Sequence, residues 1–553
     1  MLTLIPIFRP LIVYITSNYM GVNLDRLDIL VKSGVIVDGS GNPWFYGDLG
    51  ILDGRIIFIG KNCPYKAEET IDGRGLIVAP GFIDIHNHSD ITIFSFPEAE
   101  NLIFQGITTV VCGNCGYSLA PLISNVNEIK RYIEPFLPED ARIPWNWTTM
   151  EQFYDAIDSI KPSVNFLELC GHGTLRINIM GYVSDKASKE DIDNMCELLR
   201  KSLYEGAWGL SYGLLYTPGS YADFNELVSL AKVVGLAGGF CSIHLRNESY
   251  RLVEAVLEAI KICVEANVPL EISHHKASGR DNWGLVKTTL SIIRHYRKLG
   301  YDITVDVYPY TAGCTSLSAL LPPWVHEGGL NEMLNRIRKK EVRERVSKEL
   351  SKGNSWESLS KVAGWENIIL TNLKVNAEFN GKSILEVSKI RGSDPVNTIL
   401  DILLEENGGG EIILHTMNMD DVYTVMKSNV SMIGSDSWAW SYEVGGGHPR
   451  GYATYPRFIR LVRETGILSI EEAIRKTSSM PAWRVGLYNR GLLRPGFIAD
   501  MVVFDYNEIG DVNSYENPAV KPKGIKYVIV NGKLAVEDGK LIGRYGRSIR
   551  RRI

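Results

Sequence analysis

The chain has no excess of basic charge. Its 553 residues carry 59 Lys+Arg against 64 Asp+Glu, a formal net charge of −5, and the pI is near 6.1. A protein built to coat nucleic acid needs a basic surplus to neutralise phosphates, so that class is excluded. Cysteine is sparse, at eight residues, and no zinc-finger pairing exists among them; Cys112 and Cys115 form a CxxC that no second pair answers. Reduced thiols in a cytoplasmic protein fit this usage better than a disulfide framework. No run of about 18 apolar residues is present, so no membrane partner is expected. Leu2 to Ile15 is mostly apolar, but Pro6, Arg9 and Pro10 interrupt it, and neither a basic start nor a small-residue cleavage site marks a signal peptide. Residues 1–26 are expected to be an irregular extension, with Met20 an alternative start, so deleting residues 1–19 should leave folding and activity intact.

At 45% hydrophobic and 22% charged residues, the composition is that of a globular protein longer than one hydrophobic core usually spans. From Leu27 the chain shows short β runs between Gly and Asp turns, as in "DILVKSGVIVDGSG" and "GDLGILDGRIIFIG". The pattern returns near the other end in "ADMVVFDYN" and "KYVIVNGKLAVEDGK". These runs predict a small β-sandwich assembled from residues 27–78 and 490–553. Between them, strand-like runs alternate with helical segments such as "NELVSLAKVVGLAG" and "RLVEAVLEAIKICVEANV". This α/β alternation over residues 79–489 predicts a (β/α)8 barrel.

Nine candidate strands present themselves, one more than a barrel needs. They are 82–88, 109–115, 165–170, 209–212, 239–245, 269–275, 303–308, 412–415 and 431–436. Either 303–308 or 412–415 must lie outside the barrel. Residues 317–410 are too long for a barrel loop and predict a mostly helical inserted subdomain. Its charge run "NRIRKKEVRERVSKELSK" reads as a solvated helix face.

Several of the ten histidines stand at the ends of these candidates. His86 and His88 alternate along one strand and therefore share a face, at the end of the barrel where active sites form. Either alone would be unremarkable as a core residue. Cys115, His244, His274 and Asp436 end further strands, and the set of six supplies the nitrogen, thiolate and carboxylate donors that suit zinc. Six donors exceed one tetrahedral site, so a bimetal or partly occupied pair is expected. His274 is preferred over His275 because it shares strand parity with Lys276. Cys112 is read as core.

The HxH strand, the later histidines and the final Asp resemble the amidohydrolase superfamily. The phrases "GNCGYSLAP", "GHGTLR", "GLSYGLLYTPG", "ISHHKASG", "VYPYTAG" and "GGGHPRGYATYPR" resemble the D-aminoacylase (N-acyl-D-amino-acid deacylase) family in particular, and the similarity runs from about Leu27 to the C-terminal "GRYGRSIRR". The resemblance implies that Cys115 takes the bridging place that other amidohydrolases give to a carbamylated lysine. With His244 and His274 it would form the tight zinc site, while His86, His88 and Asp436 would surround the weaker one. Asp436 would act as general base and then return a proton to the departing amine. Lys276 and Arg450 would bind the substrate carboxylate and Tyr308 would supply a hydroxyl. Cys314 stands where the family often carries a hydroxyl residue, and the interval from Asp436 to Arg450 is longer than usual. The implied activity is zinc-dependent hydrolysis of small N-acyl-D-amino acids to a carboxylate and a D-amino acid. The alternatives are a cyclic-amide hydrolase of the hydantoinase or dihydroorotase kind, which the thiol at Cys115 argues against, and a non-catalytic scaffold, which should have lost metal ligands.

Overall fold

Runs of β-branched and apolar residues, each followed by an amphipathic helix, can bury both faces of a strand only by closing a sheet inside a ring of helices. The computed structural model describes residues 26–137, 141–351 and 356–552, so the apolar leader lies outside the described residues. The barrel strands are β1 (Phe82–Asp84), β2 (Ile107–Cys112), β3 (Asn165–Glu168), β4 (Gly209–Gly213), β5 (Phe240–His244), β6 (Leu270–Ile272), β7 (Ile303–Val307) and β8 (Ser431–Ile433). β1, β2 and β3 pair in parallel, and β4 through β8 form a second parallel series. Closure between β8 and β1 runs through the parallel bridge of Asn87 with Ser437 and the bond from Asp436 N to the His86 carbonyl (2.8 Å).

The third strand has a break. Cys170–Gly171, just beyond β3, pairs with β4, while Phe166 within β3 bonds to the C-terminal tail, accepting from Ile549 N at 2.8 Å and donating to Arg547 O at 2.9 Å. The last residues therefore leave the terminal sheet and pack on the barrel, which the β-sandwich expectation for 490–553 did not foresee.

Of the two disputed candidates, β7 belongs to the barrel and 412–415 does not. Glu411–Leu414 is the central strand of an antiparallel sheet with Gly313–Ser316 and Ile368–Thr371. This sheet and five helices between Gly329 and Glu405 surround a separate core that includes Leu317, Leu370, Ile399 and Ile412. The inserted segment is thus helical with a sheet at its base. A buried strand reads alike in either setting, because both faces are covered. The charge run lies on the helices Gly329–Ile337 and Lys340–Ser351, and in the second of these Val346 and Leu350 are the buried residues.

Strands from both ends of the chain form one nine-stranded sheet, joined where Ile77–Pro80 pairs antiparallel with Met501–Phe504. Ile29, Val31, Leu49 and Ile51 from the N-terminal strands meet Met501, Val503 and Ile529 in one core. The sheet thus covers its own apolar face.

Candidate metal centre

The six donors picked from the sequence converge at the C-terminal mouth of the barrel. Cys115 Sγ lies 3.4 Å from His86 Nε2, 3.5 Å from His244 Nδ1 and 3.7 Å from His274 Nε2. Asp436 Oδ1 lies 3.2 Å from His88 Nε2 and 3.5 Å from His86 Nε2. All six side chains are buried. Burial opposes a thiolate, yet His86, His244 and His274 hold the Cys115 thiol well below its ordinary range. Burial likewise opposes charge on Asp436, and Arg450 with His86 holds its carboxyl well below the usual carboxylate range. An anionic sulfur ringed by imidazoles, with a carboxylate beside it, is a donor set that fits zinc.

Apart from His244, the last residue of β5, these donors do not sit on regular strands. β1 ends at Asp84, so His86 and His88 flank the single bridge at Asn87. Cys115 stands three residues past β2, and His274 and Asp436 follow β6 and β8. Cys115, His274 and Asp436 adopt φ of +54°, +35° and +50°. For side-chain-bearing residues such geometry costs on the order of 1–3 kcal/mol each and persists only where surroundings enforce it. Gly213 is part of that enforcement, since a Cβ there would come within 2.0 Å of the Cys115 carbonyl oxygen.

Two carboxylates behind the ring were missed from the sequence. His86 Nδ1 lies 3.3 Å from Asp306 Oδ2. Glu248 Oε1 lies 3.1 Å from His274 Nδ1, and its Oε2 lies 3.8 Å from His244 Nε2. A histidine that offers one ring nitrogen to a metal carries its proton on the other, and that proton needs an acceptor. Glu248 sits four residues after His244, and an acid at that interval is the signal that could have found it. Glu248→Gln and Asp306→Asn are each expected to weaken zinc affinity by roughly 10–100-fold, measured by competition with a chelator. Unchanged affinity in both would remove the backing role.

The expected substrate binders also line this cavity, with different freedom. Lys276 Nζ is 2.6 Å from Glu248 Oε1 and 3.0 Å from the His274 carbonyl. It is also 2.8 Å from His274 Nδ1. Since that nitrogen must donate to Glu248 when Nε2 binds a metal, the Lys276 protons go to Glu248 and the carbonyl. Lys276 is therefore already committed to protein acceptors. Arg450 Nη1 lies 2.9 Å from Asp436 Oδ2, and its guanidinium stacks 4.7 Å from the Tyr308 ring centre. The Tyr308 hydroxyl is buried without a partner, and burial pushes its pKa up to about 12, so it stays a donor. His275 turns away to Thr289, at 2.8 Å. His448 accepts from Arg450 N at 3.0 Å and thereby orients the loop.

Residues 69–536 match the Amidohydrolase family. The chain is 32% identical to the D-aminoacylase of Alcaligenes xylosoxydans xylosoxydans over 529 residues, covering 95% of this chain and 98% of that protein. It is 30% identical to the N-acyl-D-glutamate deacylase of the same organism, covering 95% and 97%. Among solved structures it is similar to the N-acyl-D-glutamate deacylase of Bordetella bronchiseptica, in complex with zinc and a phosphonate mimic of the tetrahedral intermediate. That match has a TM-score of 0.80 and 29% identity, over 95% of this chain and all of that one.

Proposed function

This chain belongs to the amidohydrolase family, and from that membership we propose that it hydrolyses the amide bond of N-acyl-D-amino acids, releasing a carboxylate and a D-amino acid. The observation that carries the reading is the convergence of Cys115, His86, His244 and His274 on one point, backed by Glu248 and Asp306. Cys115, His244 and His274 would hold the tight zinc, and His86, His88 and Asp436 a weaker position. Zinc bound there would acidify water and polarise the scissile carbonyl.

The protein groups supply the rest. Asp436, ionised and at the edge of the cluster, takes the proton of the attacking water and later delivers one to the amine nitrogen. The substrate carboxylate approaches Arg450, whose planar guanidinium suits bidentate binding, while the partnerless Tyr308 hydroxyl donates to the same end of the substrate. Arg450 then exchanges its contact with Asp436 for one with substrate. All eight cysteines are unpaired thiols, which supports residence in a reducing compartment such as the cytoplasm. Among the described residues no helix is long and apolar enough to cross a membrane.

The cavity also speaks to the side chain. Among its described lining residues, Lys276 and Arg450 are the lysine and arginine present, each tied to a protein carboxylate, while Ile91, Leu215, Leu359, Val362, Leu414 and Trp438 supply apolar walls. A second substrate carboxylate held within these walls, short of the adjoining pocket lined by Arg131 and Arg251, would be desolvated without a free cation, a penalty of several kcal/mol. N-acetyl-D-leucine and N-acetyl-D-phenylalanine should therefore exceed the D-glutamate and D-aspartate derivatives in kcat/KM by at least ~100-fold. Equal or better turnover of the acidic substrates would overturn this specificity.

Arg450→Ala is expected to raise KM strongly for the acids, and kcat should fall as the amide loses its orientation over the centre. Substrates amidated at the carboxylate should be poor already and lose little more. An acid-to-amide ratio of kcat/KM that the mutation leaves unchanged, in protein with intact metal, would remove Arg450 from carboxylate recognition.

A further inference from the structure

A second group of potential ligands lies behind the barrel wall. Asp90 sits in the turn Ser89–Ile91 after β1, Cys112 ends β2 and Glu168 ends β3. One donor atom from each falls within 4.8 Å of the others, and all three residues are fully buried. Strand alternation separates this group from the catalytic mouth. Val111, Leu167 and Leu169 belong to the barrel's interior core, whereas Cys112 packs with Phe153, Tyr154 and Phe166 in the layer between barrel and helices. The helix Met150–Ile160 covers the group, with Tyr154 Oη accepting from Glu168 N at 3.1 Å.

Both carboxylate oxygens of Glu168 are buried without a hydrogen-bond partner, and so are the hydroxyls of Ser89 and Thr92 beside Asp90. Burial pushes the Glu168 carboxyl well up and the like charge of Asp90 adds to that; the Asp90 carboxylate meets the backbone amides of Gly113 and Ile91. Two buried carboxylates facing one another cost several kcal/mol each unless a proton or a cation neutralises them.

We propose that Asp90, Cys112 and Glu168 bind a divalent cation of borderline softness, zinc or a close analogue, in a structural site distinct from the catalytic one. On binding, Cys112 gives up to solvent the thiol proton it directs at Asn87 Oδ1 (3.6 Å); with one carboxyl kept protonated, the thiolate and the remaining carboxylate cancel the charge of the ion, and the sulfur selects it over calcium or magnesium, which prefer oxygen alone. Zinc bonds of about 2.0–2.3 Å place tetrahedral donors roughly 3.3–3.8 Å apart, so a small side-chain rotation within the present spacing completes the three-ligand set. The ion ties together the ends of β1, β2 and β3. Asp90 lies two residues from His88 and Cys112 three from Cys115, so the site braces two catalytic donors from behind. This inference does not depend on which amide the enzyme cleaves.

Metal content of the full-length protein tests it. Cys112→Ala and the near-isosteric Glu168→Gln should each lose one ion per chain relative to wild type while retaining the ion at Cys115 and measurable turnover. A folded Glu168→Gln protein with the wild-type metal count would overturn the proposal. Should both variants fail to fold, anomalous diffraction at the zinc edge from wild-type crystals grown with zinc decides the matter. A peak between Asp90, Cys112 and Glu168 supports the site. A peak confined to the Cys115 centre overturns it and leaves the carboxyls neutralised by protons.

Discussion

Asp436→Asn is expected to retain the tight zinc and lose kcat by roughly 100- to 10,000-fold, the range that a positioned proton-transfer group contributes. The amide keeps the shape and one oxygen, but it cannot take a proton from the attacking water or return one to the amine. Asp436 is placed for that task by its backbone, with φ of +50° and its N–H bonded to the His86 carbonyl, so the side chain projects toward His88 and His86. Cys115, His244 and His274 are untouched by the change, which is why the tight ion stays. Metal analysis alongside kcat checks the prediction, and near-native kcat in a variant confirmed by mass would remove the general-base role.

Cys115→Ala should abolish the tight zinc and nearly all turnover. It removes one of three protein ligands and the negative charge that three histidines surround. The loss should exceed the roughly 10–100-fold effect of removing an outer carboxylate. Cys112→Ala is the matched control. It stands three residues earlier, on the strand β2, and should keep the catalytic ion and measurable turnover. Equal catalytic-zinc content in the two variants would overturn the assignment of Cys115.

Much of the barrel was legible in the sequence, and so were the six candidate donor positions that the fold brings together. Donors at the ends of successive strands must meet once the sheet closes, and the HxH pattern marks the first of those ends. What was not legible depends on contacts between distant segments. Asp306 meets His86 across 220 residues with no local pattern announcing it, and Glu248, four residues after His244, meets Lys276 only across 28. The left-handed turn at His274 carries no glycine or asparagine to advertise it, and at Cys115 the flanking Gly113, Asn114 and Gly116 mark a turn without showing that the cysteine itself is left-handed. Ile412–His415 looked like a barrel strand because any strand covered on both faces is continuously apolar. Cys112 was visible only as half of a CxxC, since Glu168 lies on another strand and Asp90 in the turn after β1.

The central claim is tested most directly by turnover of enantiomeric pairs with the zinc-loaded protein. N-acetyl-D-leucine should be hydrolysed to acetate and D-leucine, N-acetyl-L-leucine and a 5-substituted hydantoin should not, and chelation should abolish the activity until zinc is restored. Hydrolysis of the hydantoin or of the L-isomer in preference to the D-isomer, or full activity after complete removal of metal, would contradict the account.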